Sequence, residues 1–155
     1  MLFRHAENDS VPEITDSGWS KELETGNAEV DNQHARYFEF VNDLLATATN
    51  AVSTNSELVE KLDFLIRYAM EHFSTEQNIM KKEGYPDYQE HFEEHMNFLK
   101  NVGSLRNQIS DDGHNDRLMR EVRFFTLDWF VKHIQSSDME VVEFLKQNSV
   151  KSVNF

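Results

Sequence analysis

The sequence predicts an all-α fold: an up-and-down antiparallel four-helix bundle with an irregular N-terminal arm and a short C-terminal helix. Three observations carry this. Apolar residues recur at spacings of three and four along four long stretches. The breaks between them are short and polar or Gly-Pro in type, as connections between antiparallel neighbours are. Five of the seven histidines fall on the apolar side of those stretches.

At 155 residues the chain reads as one domain, long enough to bury a core. Hydrophobic residues make up 39% and charged residues 28%, ordinary for a globular protein, whereas twelve Phe point to aromatic packing. With no cysteine, disulfides, iron–sulfur clusters and thiolate zinc sites are excluded, so any metal must bind through nitrogen and oxygen. The formal net charge of −13 argues against nucleic acid or an anionic membrane as partner; it leaves a protein partner unspecified. The first residues, MLFRHAENDS, contain no apolar run of the secretory kind, and no later stretch is long and apolar enough to span a bilayer. A cytoplasmic location is the expectation.

Residues 1–30 contain Pro12, Gly18 and Gly26 and no sustained helical period, and they read as an arm packed on the bundle, with Trp19 as its anchor. His5, in the loosest part, reads as a solvated residue. Residues 31–155 form the bundle. The first helix is expected to start at Asp31, an N-cap residue type, and to run to about Asn50, with Val30, His34, Tyr37, Val41, Leu44, Leu45 and Ala48 on one stripe. The second runs from about Ser56 to Glu83, with Val59, Leu62, Leu65, Ile66, Ala69, His72, Phe73, Glu76, Ile79 and Met80 expected on its buried side. Gly84 suits its C-terminal cap, and Pro86 suits the first turn of the third helix, which reaches about Ile109. The DDGHND loop, with His114, lacks the acidic spacing of a calcium loop and reads as a turn and N-cap. A fourth helix from about Asn115 carries Leu118, Val122, Phe125, Trp129 and His133, and residues 139 to about 147 form the short terminal helix.

Two ligand-type pairs stand out, His72 with Glu76 and His91 with His95, each at i,i+4 and separated by the Gly-Pro break. Residues four apart on a helix project from nearly the same face, so each pair can offer two donors to one point. An antiparallel turn at the break brings the pairs face to face. Glu76 on an apolar face needs a cation or a proton, because a buried carboxylate alone is costly. His34 and His133 add inward nitrogens from the other two helices. Asp138 lies five residues after His133, which on an ideal helix leaves the two side chains about 140° apart. They can share a site only if Gln135-Ser136-Ser137 is distorted or broken.

The ordered set of fragments resembles a hemerythrin-like domain, in particular the single-domain bacterial members of that family. The fragments are W-S-K-E-L-E-T-G from Trp19, D-N-Q-H ending at His34, H-F-S-T-E from His72 to Glu76, H-F-E-E-H from His91 to His95, and W-F-V-K-H-I-Q-S-S-D from Trp129 to Asp138. All seven ligand positions of the family hold the expected residue types, and the i,i+5 offset from His133 to Asp138 is the family's own. The resemblance implies two non-haem iron ions bridged by an oxo or hydroxo group, Glu76 and Asp138. One ion takes His91, His95 and His133; the other takes His34 and His72 and keeps a position open for dioxygen. Imidazole and carboxylate suit iron.

The implied function is reversible dioxygen binding for storage, delivery or sensing, with dioxygen as ligand and no enzymatic activity. The alternative is a di-iron enzyme reducing nitric oxide or peroxide. Tyr37, Phe73, Trp129 and Phe130 are the candidate oxygen pocket, where apolar rings would exclude water. Phe92 and Phe98 also neighbour ligands in sequence. Two positions depart from the family pattern. Gln77 stands where a second glutamate is frequent and is expected to face outward with little consequence. Tyr37 stands where an aliphatic residue is usual, and three readings are open for it: a phenol that hydrogen-bonds bound oxygen, a ring that narrows the pocket, or a plain packing substitution.

Overall fold

The computed structural model describes residues 21–50 and 52–153. Trp19 and His5 lie outside the described residues. What is described of the arm is a single 3-10 turn, Lys21–Leu23, whose Leu23 is fully buried in the core.

Helix α1 spans Ala28–Thr49, about one turn longer at its start than expected. Asn27, not Asp31, caps it: the Asn27 side chain accepts the Val30 N–H at 3.0 Å. Asp31 instead reaches back, accepting the Thr25 N–H and hydroxyl at 2.8 Å each and the Gly26 N–H at 3.2 Å. It therefore ties the arm to the helix. Helix α2, Asn55–Glu83, is capped by Thr54, which accepts the Glu57 N–H, and ends at Gly84 with φ 68°. That left-handed conformation is easy only for glycine. Pro86 lies in the connection rather than in a helical turn, since α3 begins at Tyr88 and runs to Asp112. The two aspartates at the start of DDGHND thus belong to the helix, leaving Gly113 to His114 as the connection before the Asn115 cap.

The fourth rod is assembled from α4 (Asp116–Arg123), α5 (Trp129–His133) and α6 (Met139–Val153), joined end to end by π turns at Phe124–Asp128 and Ile134–Asp138. The terminal helix follows the π turn without a break. In each π turn the backbone closes i→i+5, as when the Met139 N–H donates to the Ile134 carbonyl and the Trp129 N–H to that of Phe124. One extra residue is accommodated per turn, so the buried face advances by one. Phe125 and Trp129, expected on the inner stripe, are only half-buried, and Thr126, Leu127 and Phe130 take the inner positions.

Contacts between successive helices climb one as they descend the next, which establishes antiparallel packing. Glu76 meets His91 and Asp63 meets Arg106 across α2 and α3; Glu94 meets His133, and His91 meets Asp138, across α3 and the fourth rod. Phe38, Phe73, Phe98 and Phe130 centre the main core with Leu44, Leu62 and Ile109. A smaller cluster, Met80, Tyr85 and Val141 with Phe144, closes the end where α2 turns into α3. Burial of such aliphatic and aromatic side chains contributes about 1.5–3 kcal/mol each and dominates the stability of the bundle. Among the described residues no helix is long and apolar enough to cross a membrane.

Candidate metal centre

The four rods bring seven donors into one buried level of the bundle. α1 supplies His34, α2 supplies His72 and Glu76, α3 supplies His91 and His95, and the fourth rod supplies His133 and Asp138. All seven are buried. They form two overlapping groups whose donor atoms lie within 4.8 Å of one another: Glu76, His91, His95, His133 and Asp138 in one, and His34, His72, Glu76 and Asp138 in the other. Glu76 and Asp138 belong to both. The second π turn makes this possible, because it lets a five-residue interval do the work of one helical turn and leaves His133 Nε2 3.2 Å from Asp138 Oδ1.

Across the level, His91 Nε2 approaches Asp138 Oδ1 at 3.1 Å and Glu76 Oε2 at 3.6 Å. His34 Nε2 lies 3.4 Å from Asp138 Oδ2 and 3.8 Å from Glu76 Oε1, and His72 contacts Glu76 directly. Nε2 of His72 and His91, Oε1 of Glu76 and both Asp138 oxygens are buried without a hydrogen bond of good geometry. Buried polar atoms are rarely left in that condition, and converging ones indicate a cation.

The outward side of the rings fixes their tautomers. His72 Nδ1 faces Gln33 Oε1 at 2.8 Å, and that amide is itself oriented by donating to Thr75. His95 Nδ1 faces Gln77 Oε1 at 2.9 Å, and His133 Nδ1 faces Glu94 Oε2 at 2.7 Å. With an acceptor at Nδ1, the ring carries its proton there and turns the Nε2 lone pair inward. The Nε2 atoms of His95 and His133 are then 3.2 Å apart. Two lone pairs at that distance require a proton or a metal ion between them. The donor set fits metal.

In the metal-free chain, protons supply the missing positive charge. Burial pushes the His34, His91 and His133 rings down, but Asp138 and Glu76, joined at His133 by the Glu94 hydrogen bond, outweigh it and hold them up, to about 9, about 9 and about 10. His95, for which burial dominates, falls to about 3, and burial likewise lowers His72. Burial would raise the Glu76 and Asp138 carboxyls. The surrounding imidazoles, His72 foremost for Glu76 and His133 for Asp138, instead hold both well below the usual range.

Aromatic rings seal the level. Phe73 stacks on His95 with centroids 3.9 Å apart, and Trp129 stacks on His133 at 4.7 Å. Phe130 sets its edge against His34 and stacks on Tyr37 at 3.9 Å, while Phe98 packs on Phe73 and Trp129. Phe92 stacks on Tyr88. The Tyr37 phenol donates to the Thr126 carbonyl at 2.6 Å. A cavity of about 30 Å³ reaches Glu76 and Asp138 from another side, lined by Thr25, Val30, Ile79, Val141 and Leu145.

Gln77 does not face outward as expected; it orients His95. Gln33, Gln77, Glu94 and Ser137 were not legible as site residues, because each sits beside a donor on its own helix, about 100° around, and three of them serve a ring on a different rod.

A family model described as the hemerythrin HHE cation binding domain matches residues 25–145. A bacteriohemerythrin of Methylococcus capsulatus is 33% identical over 108 residues, 70% of this chain and 79% of that protein. One from Clostridium acetobutylicum is 30% identical over 127 residues, 81% of this chain and 98% of its own length. A crystal structure of wild-type hemerythrin superposes with a TM-score of 0.67 at 33% identity, covering 78% of this chain and 91% of that one. With the fold, the seven converging donors and these matches in agreement, the chain belongs to the hemerythrin HHE family.

Proposed function

We propose that the chain binds dioxygen reversibly at a pair of non-haem irons held by His34, His72, Glu76, His91, His95, His133 and Asp138. His91, His95 and His133 would serve one ion and His34 and His72 the other, with Glu76 and Asp138 shared between the two. The observation that carries this reading is the overlap of the two donor groups in two shared carboxylates. The histidine count on the two sides, three and two, leaves the second position short of a ligand and therefore open.

When bound, the iron pair supplies reducing electrons and that open coordination position. The chain's own residues do the rest. Gln33, Gln77 and Glu94 hold three imidazoles with Nε2 inward, so the donors need no rearrangement to receive metal. Phe73, Phe130 and Trp129 pack against His95, His34 and His133 and would exclude water along the ring side of the centre. The cavity of about 30 Å³ beside Glu76 and Asp138 can admit a small molecule, and Val30, Ile79, Val141 and Leu145 supply most of its apolar lining. Binding without turnover is supported by the Tyr37 phenol, which is committed to a main-chain carbonyl and pushed well above its usual pKa by burial, so it is a poor proton donor to the centre.

The test is optical. Iron-loaded protein reduced anaerobically and then exposed to air should develop a ligand-to-metal charge-transfer band that disappears on deoxygenation and returns on re-exposure. Absence of the band, or steady consumption of nitric oxide or peroxide, overturns reversible binding.

A further inference from the structure

The three imidazoles with resolved outer partners are not held alike. His72 and His95 present Nδ1 to neutral amide oxygens, of Gln33 at 2.8 Å and Gln77 at 2.9 Å. His133 presents Nδ1 to a carboxylate, Glu94 Oε2, at 2.7 Å. The same oxygen accepts the Ser137 hydroxyl at 2.6 Å, and Ser137 lies in the π turn that also places Asp138. Glu94 is thus fixed by two donors from one segment, and the segment is fixed by the donor geometry of the centre.

The chemical difference is one of charge. A hydrogen bond to an ionised acceptor is roughly twice as strong as one between neutral groups. It draws the Nδ1 proton outward, raises electron density on the ring and makes Nε2 the more basic ligand. A metal ion of higher charge gains more from that basicity than one of lower charge. Resting on the di-iron reading above, we propose that Glu94, steadied by Ser137, is a positioning residue that makes the metal position served by His91, His95 and His133 the more electron-rich of the two, favouring its oxidised state and lowering the reduction potential of the pair.

Glu94 is half-exposed and lies outside the hydrophobic core, so its replacement need not disturb the packing of the bundle. Outer partners of this kind are typically worth 10–100-fold in metal affinity. The experiment uses the full iron-loaded chain. Iron per chain, unfolding temperature and reduction potential by anaerobic spectroelectrochemistry are measured for the unsubstituted protein and for Glu94→Gln, Ser137→Ala and Gln77→Glu. Glu94→Gln keeps an acceptor oxygen but removes the charge; its potential is expected to rise, with a smaller rise for Ser137→Ala. Gln77→Glu gives His95 a charged acceptor, and its potential is expected to fall.

An unchanged potential in Glu94→Gln with iron retained overturns the proposal. If Glu94→Gln cannot hold iron, Gln77→Glu decides, since it leaves Glu94 in place: a fall upholds the proposal, and no change or a rise overturns it. Fewer than two irons in the unsubstituted protein would overturn the di-iron reading and this inference together, an outcome distinct from two irons with an unresponsive potential.

Discussion

The Tyr37 hydroxyl donates to the Thr126 carbonyl at 2.6 Å, joining α1 to the first π turn of the fourth rod. The phenol is fully buried, and Thr126 adds its own hydroxyl bond to the Val122 carbonyl. A residue that sequence places beside an oxygen site is therefore engaged in holding an irregular helix. Tyr37→Phe keeps the ring on Phe130 but leaves a buried carbonyl without its donor, a loss of about 1–3 kcal/mol. Thermal unfolding should shift down by several degrees while autoxidation of the oxygen adduct stays the same; faster autoxidation at unchanged stability would place the hydroxyl in the ligand pocket.

The metal-free chain should have a pH optimum of stability near neutrality. His34, His91 and His133 have folded values of about 9, about 9 and about 10, above the unfolded value of about 6.5. Their stabilisation is complete below pH 6.5 and is lost as pH rises through the folded values. His95, lowered to about 3, works in the opposite sense, adding stability as pH climbs from about 3 toward 6.5. Metal replaces these protons, so loading should release protons and abolish the loss of stability between about pH 7 and 10. Denaturant midpoints of stripped and loaded protein across that range check it; identical profiles would contradict it.

Removing one donor should empty the centre. His95→Ala deletes a donor from the three-histidine group, and Glu76→Ala deletes one from both groups. Elemental analysis is expected to find iron far below two per chain in each variant, with a marked drop in unfolding temperature relative to loaded protein, because metal binding and folding are coupled. Retention of two irons in Glu76→Ala would rule out its bridging role.

Across α2 and α3, Arg106 donates to Asp63 through Nε at 2.8 Å and through a terminal nitrogen at 3.1 Å. The guanidinium holds the Asp63 carboxyl below its usual value. Both side chains are about one-third exposed, so solvent screening keeps the coupling small. That contribution is present above the unfolded carboxylate value and lost as pH falls through the folded one. A double-mutant cycle with Asp63→Asn and Arg106→Gln should return this coupling at pH 7 and less at high salt; a coupling of several kcal/mol would show the pair to be effectively dry.

What the sequence determined by itself was the four-rod bundle and the level at which chemistry sits. Helical periodicity is local, and i,i+4 pairs such as His72 with Glu76 and His91 with His95 share a face by geometry alone. Gly84 and Asn115 ended and began helices for reasons confined to a few residues. Tertiary structure decided how the awkward interval from His133 to Asp138 is accommodated, by a π turn rather than a break, and which residues then face inward along the fourth rod. It also decided the roles of Gln33, Gln77, Glu94 and Tyr37. For Gln33, Gln77 and Glu94 the partner lies on another helix, and for Tyr37 it is a backbone carbonyl 89 positions away. Side chains set about 100° around a helix from a ligand point toward a neighbouring rod, and only packing shows what that rod presents to them.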